Sequence, residues 1–175
     1  MLQLLPEATS RASSWLGILG LDMWSYRWSV VSGTEEQWRG ALVVEYYARR
    51  ATLDLDSAGY RMELQKRRLL QTEFMLLTAR GDPLASAARQ VRGVLTRETV
   101  VRMGPDEFVM SGGGGDFAVH TVGGSRLGSM QVERRGWSVR QSYGFLHFDN
   151  AVSAVLQVFL FWLSIHRDLD ARAGD

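Results

Sequence analysis

The chain has 175 residues, of which 46% are hydrophobic and 22% charged, a formal net charge of +1, and no cysteine. This composition is typical of one folded domain, and it argues against wholesale disorder and against a protein with several membrane spans. Without cysteine the chain has no disulfide, thiolate metal site, thiol nucleophile or S-acylation anchor, which is compatible with a cytoplasmic location.

Residues 1–40 are rich in tryptophan, because Trp15, Trp24, Trp28 and Trp38 are four of the six in the chain. We expect this segment to pack on the domain that follows it or to be partly mobile. Contact with a membrane interface is the alternative, since tryptophan favours the headgroup region of a bilayer. The segment begins without the basic start and small-residue cleavage site of a secretory signal, so no such signal is expected.

Short strands and turns are predicted beyond residue 40. The first strand covers residues 41–47, which are rich in Val and Tyr, although Thr34 and Gln37 could instead open a helix there. Residues 51–56 and 60–65 then alternate between apolar and polar side chains on either side of an Asp-Ser-Ala-Gly turn. This pattern predicts a β-hairpin.

Further strands follow, separated by turns rich in Gly, Pro and Asp. They are predicted at residues 71–79, 84–90, 99–103, 107–110, 117–122, 127–132 and 137–143. A spacing of roughly 8–12 residues per strand is typical of an antiparallel meander or a closed barrel.

A strongly apolar helix is predicted from Ala151 to Ile165, after the capping residues Asp149 and Asn150 and before a polar tail at residues 168–175. Such a helix spans about 22 Å, less than the hydrocarbon core of about 30 Å, so a core helix is favoured over a membrane crossing. Its apolar side chains point in nearly every direction. We therefore predict a mainly β fold, a closed antiparallel β-barrel surrounding a hydrophobic C-terminal helix. A short tail anchor is the alternative, but the polar residues before the helix would then lie near the bilayer interior.

Two motifs resemble ligand-binding loops but lack residues that those loops need. The run Gly112 to Gly115 leads into a predicted strand and not into a helix with a Lys-Ser/Thr pair, so a hairpin loop is favoured over a phosphate loop. Asp54, Asp56 and Gly59 match the start of a calcium loop, but its twelfth position, which needs a bidentate Glu, holds Gln65.

No cluster of catalytic groups stands out. His120, His147 and His166 lack the paired spacing of a metal site, and Ser125 does not lie in a Gly-x-Ser-x-Gly elbow. We therefore predict no catalytic residues, no metal ion and no cofactor. An enzyme whose acid and base residues meet only in the fold is the less favoured alternative.

Three basic clusters lie at predicted strand junctions: Arg49-Arg50, Lys66-Arg67-Arg68 and Arg134-Arg135. Gathered at one rim of a barrel, they could bind a lipid phosphate or an acidic partner, and each basic residue near an anionic membrane contributes about 1 kcal/mol. Dispersal around the rim is the alternative. The candidate ligand-binding residues are Arg49, Arg50, Lys66, Arg67 and Arg68. Nucleic acid is not expected as a partner, because the chain has no domain-wide basic excess and no aromatic platform on its strands.

Four segments form a distinctive combination: Tyr60-Arg61-Met62-Glu63-Leu64, the basic turn Lys66-Arg67-Arg68, the stretch from Thr72 to Ala85 with its Gly81-Asp82-Pro83 turn, and the apolar helix at 151–165. This combination resembles the tubby-like superfamily, which includes the tubby C-terminal domain, the phospholipid scramblases, the LURP-one-related proteins and many small bacterial members. The resemblance covers residues 41–167, and the arginine-rich composition suits a bacterial member.

The resemblance implies a closed barrel with the C-terminal helix through its middle, and binding of anionic phospholipids by basic residues on the barrel. Scramblase-like activity is not expected, since the chain lacks a cysteine-rich acylation segment and a complete calcium loop. We therefore expect a non-enzymatic β-barrel, cytoplasmic or peripheral at the membrane, that binds an anionic lipid headgroup or membrane surface through its basic rim. A protein-interaction scaffold that docks a partner on the aromatic N-terminal segment is the alternative, and the oligomeric state is left open.

Overall fold

A computed structural model describes residues 1–7, 25–33, 37–45, 50–68, 71–92, 96–134, 142–149 and 152–172. Within these ranges the chain forms twelve β-strands and one helix. In chain order they are β1 Leu2–Pro6, β2 Ser25–Ser32, β3 Gln37–Glu45, β4 Arg50–Leu55, β5 Ala58–Arg68, β6 Gln71–Thr78, β7 Pro83–Arg92, β8 Thr96–Met103, β9 Asp106–Gly113, β10 Asp116–Thr121, β11 Arg126–Arg134, β12 Ser142–Phe148 and α1 Ala154–Arg172.

The strands form a closed antiparallel barrel in which each strand pairs with its neighbours in the chain. The first strand closes the barrel, because Leu4 lies opposite Val30 of β2 on one side and Gly144 of β12 on the other. Closure leaves none of these strands with a free edge. The predicted fold class is confirmed.

Local sequence explains the hairpin between β4 and β5. Ala51, Leu53 and Leu55 are buried and alternate with exposed polar residues, as a strand with one solvated face requires. The two turn residues, Asp56 and Ser57, both have positive φ angles, of 51° and 66°. Such a two-residue turn matches the twist of the strands that it joins, so the predicted hairpin is confirmed.

Helix α1 lies inside the barrel. Its Phe161 packs against Gly144 on β12, while Trp162 contacts Phe74 on β6 with a ring-centroid separation of 5.5 Å. Strands β12 and β6 are six strands apart in either direction around the barrel, so these contacts lie on opposite walls. Every residue from 158 to 166 is buried, which means that all faces of the helix are covered.

The barrel begins earlier in the chain than the sequence predicted. Residues 1–40 were expected to pack on the barrel or to be partly mobile, but they contribute β1, β2 and the start of β3. In β2, Trp28 and Val30 are fully buried whereas Arg27 is exposed, which is the alternation of an ordinary barrel strand. The remaining tryptophans of this segment, at positions 15 and 24, lie outside the described residues.

Two boundaries near the C-terminus also differ from prediction. The last described strand, β12, covers residues 142–148, so it continues beyond the predicted end at residue 143 and includes His147. Residues 137–141 of the predicted strand lie outside the described residues. The helix follows Ser153, whose Oγ accepts a hydrogen bond from the amide of Leu156 at 3.4 Å. Asp149 instead closes a turn with its carbonyl, so serine replaces it as the cap. The helix runs to Arg172 and includes most of the predicted polar tail.

Candidate functional site

One end of the barrel collects the basic clusters. We define the basic end as the end at which the odd-numbered strands finish and the even-numbered strands begin. Arg50 opens β4 there, Lys66 to Arg68 close β5, and Arg134 closes β11. Because consecutive strands are antiparallel, the three clusters lie at the same end. Arg50 and Lys66 to Arg68 are on adjacent strands there, whereas Arg134 on β11 is five strands from β4 around the barrel. The other two members of the clusters, Arg49 and Arg135, lie outside the described residues.

Charge is unevenly divided between the two ends. The three residues of each described strand nearest the basic end include eight basic residues and five acidic ones. The basic ones are Arg27, Arg50, Lys66, Arg67, Arg68, Arg92, Arg97 and Arg134, and the acidic ones are Glu45, Glu73, Glu98, Asp116 and Glu133. At the opposite end the same comparison gives three basic residues, Arg39, Arg102 and Arg126, and three acidic ones, Asp54, Asp106 and Glu107.

Charge also changes around the barrel. Strands β2 to β5 carry seven basic residues and three acidic ones, whereas β9 to β12 carry two basic residues and four acidic ones. The positive charge is therefore greatest where the basic end meets β4 and β5. This quarter of the rim contains the described candidate residues Arg50, Lys66, Arg67 and Arg68.

Strand register separates these four candidates into two kinds. Arg50 lies opposite Glu45 on β3 and Glu63 on β5, and Lys66 lies opposite Glu73 on β6, so each has an acidic cross-strand neighbour. Opposite charges at such positions attract one another and reduce the charge that is open to a ligand. Arg67 and Arg68 lie opposite Thr72 and Gln71 on β6. In this register neither has an acidic residue directly opposite it on β6.

The barrel interior near the basic end contains a polar pair that sequence reasoning did not single out. Arg89 on β7 is only 6% exposed, and its Nη2 donates a hydrogen bond to the carbonyl oxygen of Leu163 in the helix at 2.8 Å. Its guanidinium carbon also lies 5.3 Å from the centre of the Phe74 ring. His166 is 7% exposed and contacts the same ring at 5.1 Å between centroids.

This arrangement ties the helix to the wall and holds a cation inside the barrel. A buried guanidinium is costly unless it is hydrogen-bonded, and the contact with the Phe74 ring contributes cation–π stabilisation. Strand alternation could have indicated the interior position of Arg89. Ala85, Ala87 and Arg89 share one face of the strand, and the two alanines are buried. The interior position of Arg89 also shows that not every arginine near the basic end is available to a ligand.

Two of the three arginines counted at the opposite end, Arg39 and Arg102, are paired with neighbouring carboxylates. The Arg39 guanidinium binds both carboxylate oxygens of Asp56, with one Nε to Oδ1 distance of 3.0 Å. These hydrogen bonds lower the pKa of Asp56 and raise the pKa of Arg39. Arg102 forms an ion pair with Glu107 through one contact, from Nε to Oε2, at 2.5 Å. This end therefore has less capacity to bind an anion.

The motifs set aside in the sequence have structural roles in the described ranges. Gly114 and Gly115 form the turn between β9 and β10 with φ angles of 67° and 106°, so the glycine run is a hairpin connection. The carboxylate of Asp56, one candidate calcium ligand, is paired with Arg39. Among the described residues, no group of three histidine or acidic side chains is placed to hold a metal ion.

No helix in the described part of the chain combines the length and the apolar character that a membrane crossing requires.

Comparisons with known proteins give no assignment. No family model matches the chain, and no curated protein or solved structure matches it.

Proposed function

We propose that the chain is a non-enzymatic, tubby-like binding barrel whose basic end contacts an anionic lipid headgroup or membrane surface. The supporting observation is that Arg50 and the cluster Lys66 to Arg68 lie at the same end of the barrel on the adjacent strands β4 and β5. The contact set is Arg49, Arg50, Lys66, Arg67 and Arg68. A closed barrel around a buried C-terminal helix supports the tubby-like assignment, and we place the protein in the cytoplasm, peripheral at the membrane.

Stable membrane binding requires several basic residues acting together. One lysine or arginine near an anionic bilayer contributes about 1 kcal/mol, which is too little for stable binding. Three to five of them at one end reach about 3–5 kcal/mol, and arginine adds bidentate hydrogen bonds to phosphate oxygens. Because such contacts are made in water, salt weakens them. At 0.1 M salt, charges farther apart than about 10 Å are largely screened from one another.

Co-sedimentation of the full-length protein with liposomes tests the proposal. Vesicles of phosphatidylcholine alone are compared with vesicles that also contain one-third phosphatidylserine, in NaCl from 50 to 500 mM. We expect binding to the anionic vesicles only, falling steadily as salt increases. Equal binding to both kinds of vesicle, or no binding to either at 50 mM NaCl, would contradict the proposal.

A further inference from the structure

The outer wall of the barrel carries a groove of about 610 Å³ across strands β2 to β5. Trp38 stands at one side of it and is 63% exposed, an unusual state for so large an apolar side chain. Trp38 lies near the start of β3, at the end opposite the basic end. Trp38 therefore lies at the other end of the barrel from the proposed lipid contact, although the groove extends along the wall to Arg27 at the basic end.

Small side chains create the groove. Ala41 and Gly59 both lie across from Asp54, on β3 and β5, and form one row along the wall. Ala79 continues this row, since a Cβ atom at Gly59 would lie 3.5 Å from the Cβ of Ala79. Val43, in the next row, adds apolar surface. The floor can thus accept an apolar side chain next to the Trp38 indole.

Two arginines line the groove, and they differ in their surroundings. Arg27 forms an ion pair with Glu7 at 2.9 Å. Arg61 is exposed and forms no ion pair with any described residue, and its Nη2 lies beside the β6–β7 turn, 3.0 Å from where a Cβ at Gly81 would be. Arg61 is therefore the cation of the groove that is open to a ligand.

We infer that this groove docks a partner protein through an extended segment that carries an acidic side chain and an aromatic or large apolar one. The apolar side chain packs on the floor against Trp38, and the carboxylate binds Arg61. Tryptophan and arginine are the residues that most often dominate the binding energy of protein interfaces. Asp54 in the middle of the groove disfavours a carboxylate there and can accept backbone N–H groups of the bound segment.

The distance between Trp38 and Arg61 sets the spacing of the two anchors of the bound segment, its apolar side chain and its carboxylate. Trp38 on β3 and the Arg61 guanidinium beside the β6–β7 turn are about three strand spacings apart, or roughly 14 Å along the wall. An extended chain advances about 3.3 Å per residue, so the two anchors should be about four residues apart. Recognition must use side chains, since the closed barrel offers no strand edge to which a partner strand could add.

An array of six-residue peptides tests the inference. Each peptide carries one phenylalanine and one glutamate separated by zero to four varied residues, and matched peptides replace the glutamate with glutamine or the phenylalanine with serine. We expect the full-length protein to select peptides that retain both anchors three to five positions apart. Fluorescence anisotropy with the best peptide then gives the dissociation constant for the wild type and each variant.

Trp38→Ala should weaken peptide binding about tenfold or more, and Arg61→Gln about fivefold. The matched controls are Val122→Ser, which removes another exposed apolar side chain, and Arg126→Gln, which removes an exposed arginine of the opposite wall. Both controls should leave the dissociation constant within twofold of the wild type. Circular dichroism melts of all four variants establish that each one folds.

Three results would overturn the inference. One is the absence of any selected peptide, and another is equal weakening by the Trp38 and Val122 variants. The third is a loss of anionic-vesicle binding in Trp38→Ala without a change in peptide binding, which would make the groove part of a membrane contact. The first two results do not depend on whether the basic end binds lipid, so the two proposals can fail separately.

Discussion

The ring of Phe161 lies directly over the backbone of Gly144. A Cβ atom at Gly144 would stand 2.6 Å from Cε2 of that ring, and β12 is held in place by β1 and β11 on either side. The helix therefore approaches this wall so closely that only glycine fits. This contact joins the last strand to the helix that follows it and fixes the depth of the helix in the barrel.

Gly144→Val should destabilise the protein by about 1–3 kcal/mol or more, because the added atoms overpack a core that has no space for them. Thermal melting followed by circular dichroism measures the effect. Gly123→Ala is the control, since a Cβ there meets only the Thr121 hydroxyl at 3.7 Å. A Gly144→Val variant as stable as the control would contradict the central position of the helix.

Arg89→Met should also lower the free energy of unfolding, by about 1–3 kcal/mol. The substitution removes the hydrogen bond to Leu163 and the contact with Phe74, and it leaves a buried carbonyl without that donor. Arg126→Met, at an exposed position of β11, should change stability by no more than about 0.5 kcal/mol. Chemical denaturation compares the two variants, and equal effects would show that Arg89 does not tie the helix to the wall.

The Arg39–Asp56 pair predicts a dependence of stability on pH. The pKa of Asp56 is lowered in the folded protein, so the pair stabilises the fold above the unfolded pKa of about 3.9. This contribution is lost as the pH falls through the folded pKa. Asp56→Asn is suited to the test, because asparagine tolerates the positive φ angle at this position.

The wild type should therefore melt at a higher temperature than Asp56→Asn at pH 7. The difference should shrink as the pH falls below about 4 and should be smaller in 0.5 M NaCl, since the pair is partly exposed. A difference that stays constant from pH 7 to pH 2 would mean that the substitution acts through the turn and not through the ion pair.

Much of the barrel could be predicted because its strands carry their signal locally. The β4–β5 hairpin has a clean alternation and a two-residue turn, and the helix is apolar in nearly every direction. Closure of the barrel had no comparable local signal in the sequence. It depends on a strand of five residues, β1, that pairs with β12 near the other end of the chain, and Leu4 and Gly144 reveal nothing of this contact in isolation.

The functional surfaces, too, could be predicted from the sequence only in part. The gathering of Lys66 to Arg68 with other basic clusters could be expected, because an antiparallel meander brings alternate turns to one end. The contrast between Lys66, opposite Glu73, and Arg67, opposite Thr72, depends on a register shift after Leu64 that no local pattern announces. The Trp38 groove likewise depends on register, which places Ala41 of β3 and Gly59 of β5 on either side of Asp54 in one row of the wall.

The most direct test of the central claim compares two triple variants in the liposome assay. One replaces Lys66, Arg67 and Arg68 with glutamine at the basic end, and the other replaces Arg80, Arg102 and Arg126 at the opposite end, so both lose the same charge. At about 1 kcal/mol per residue, the first should bind anionic vesicles about 100-fold more weakly, and the second within about threefold of the wild type. Equal losses in the two variants would show that net charge, and not the basic end, attracts the protein to the membrane, and would contradict the account.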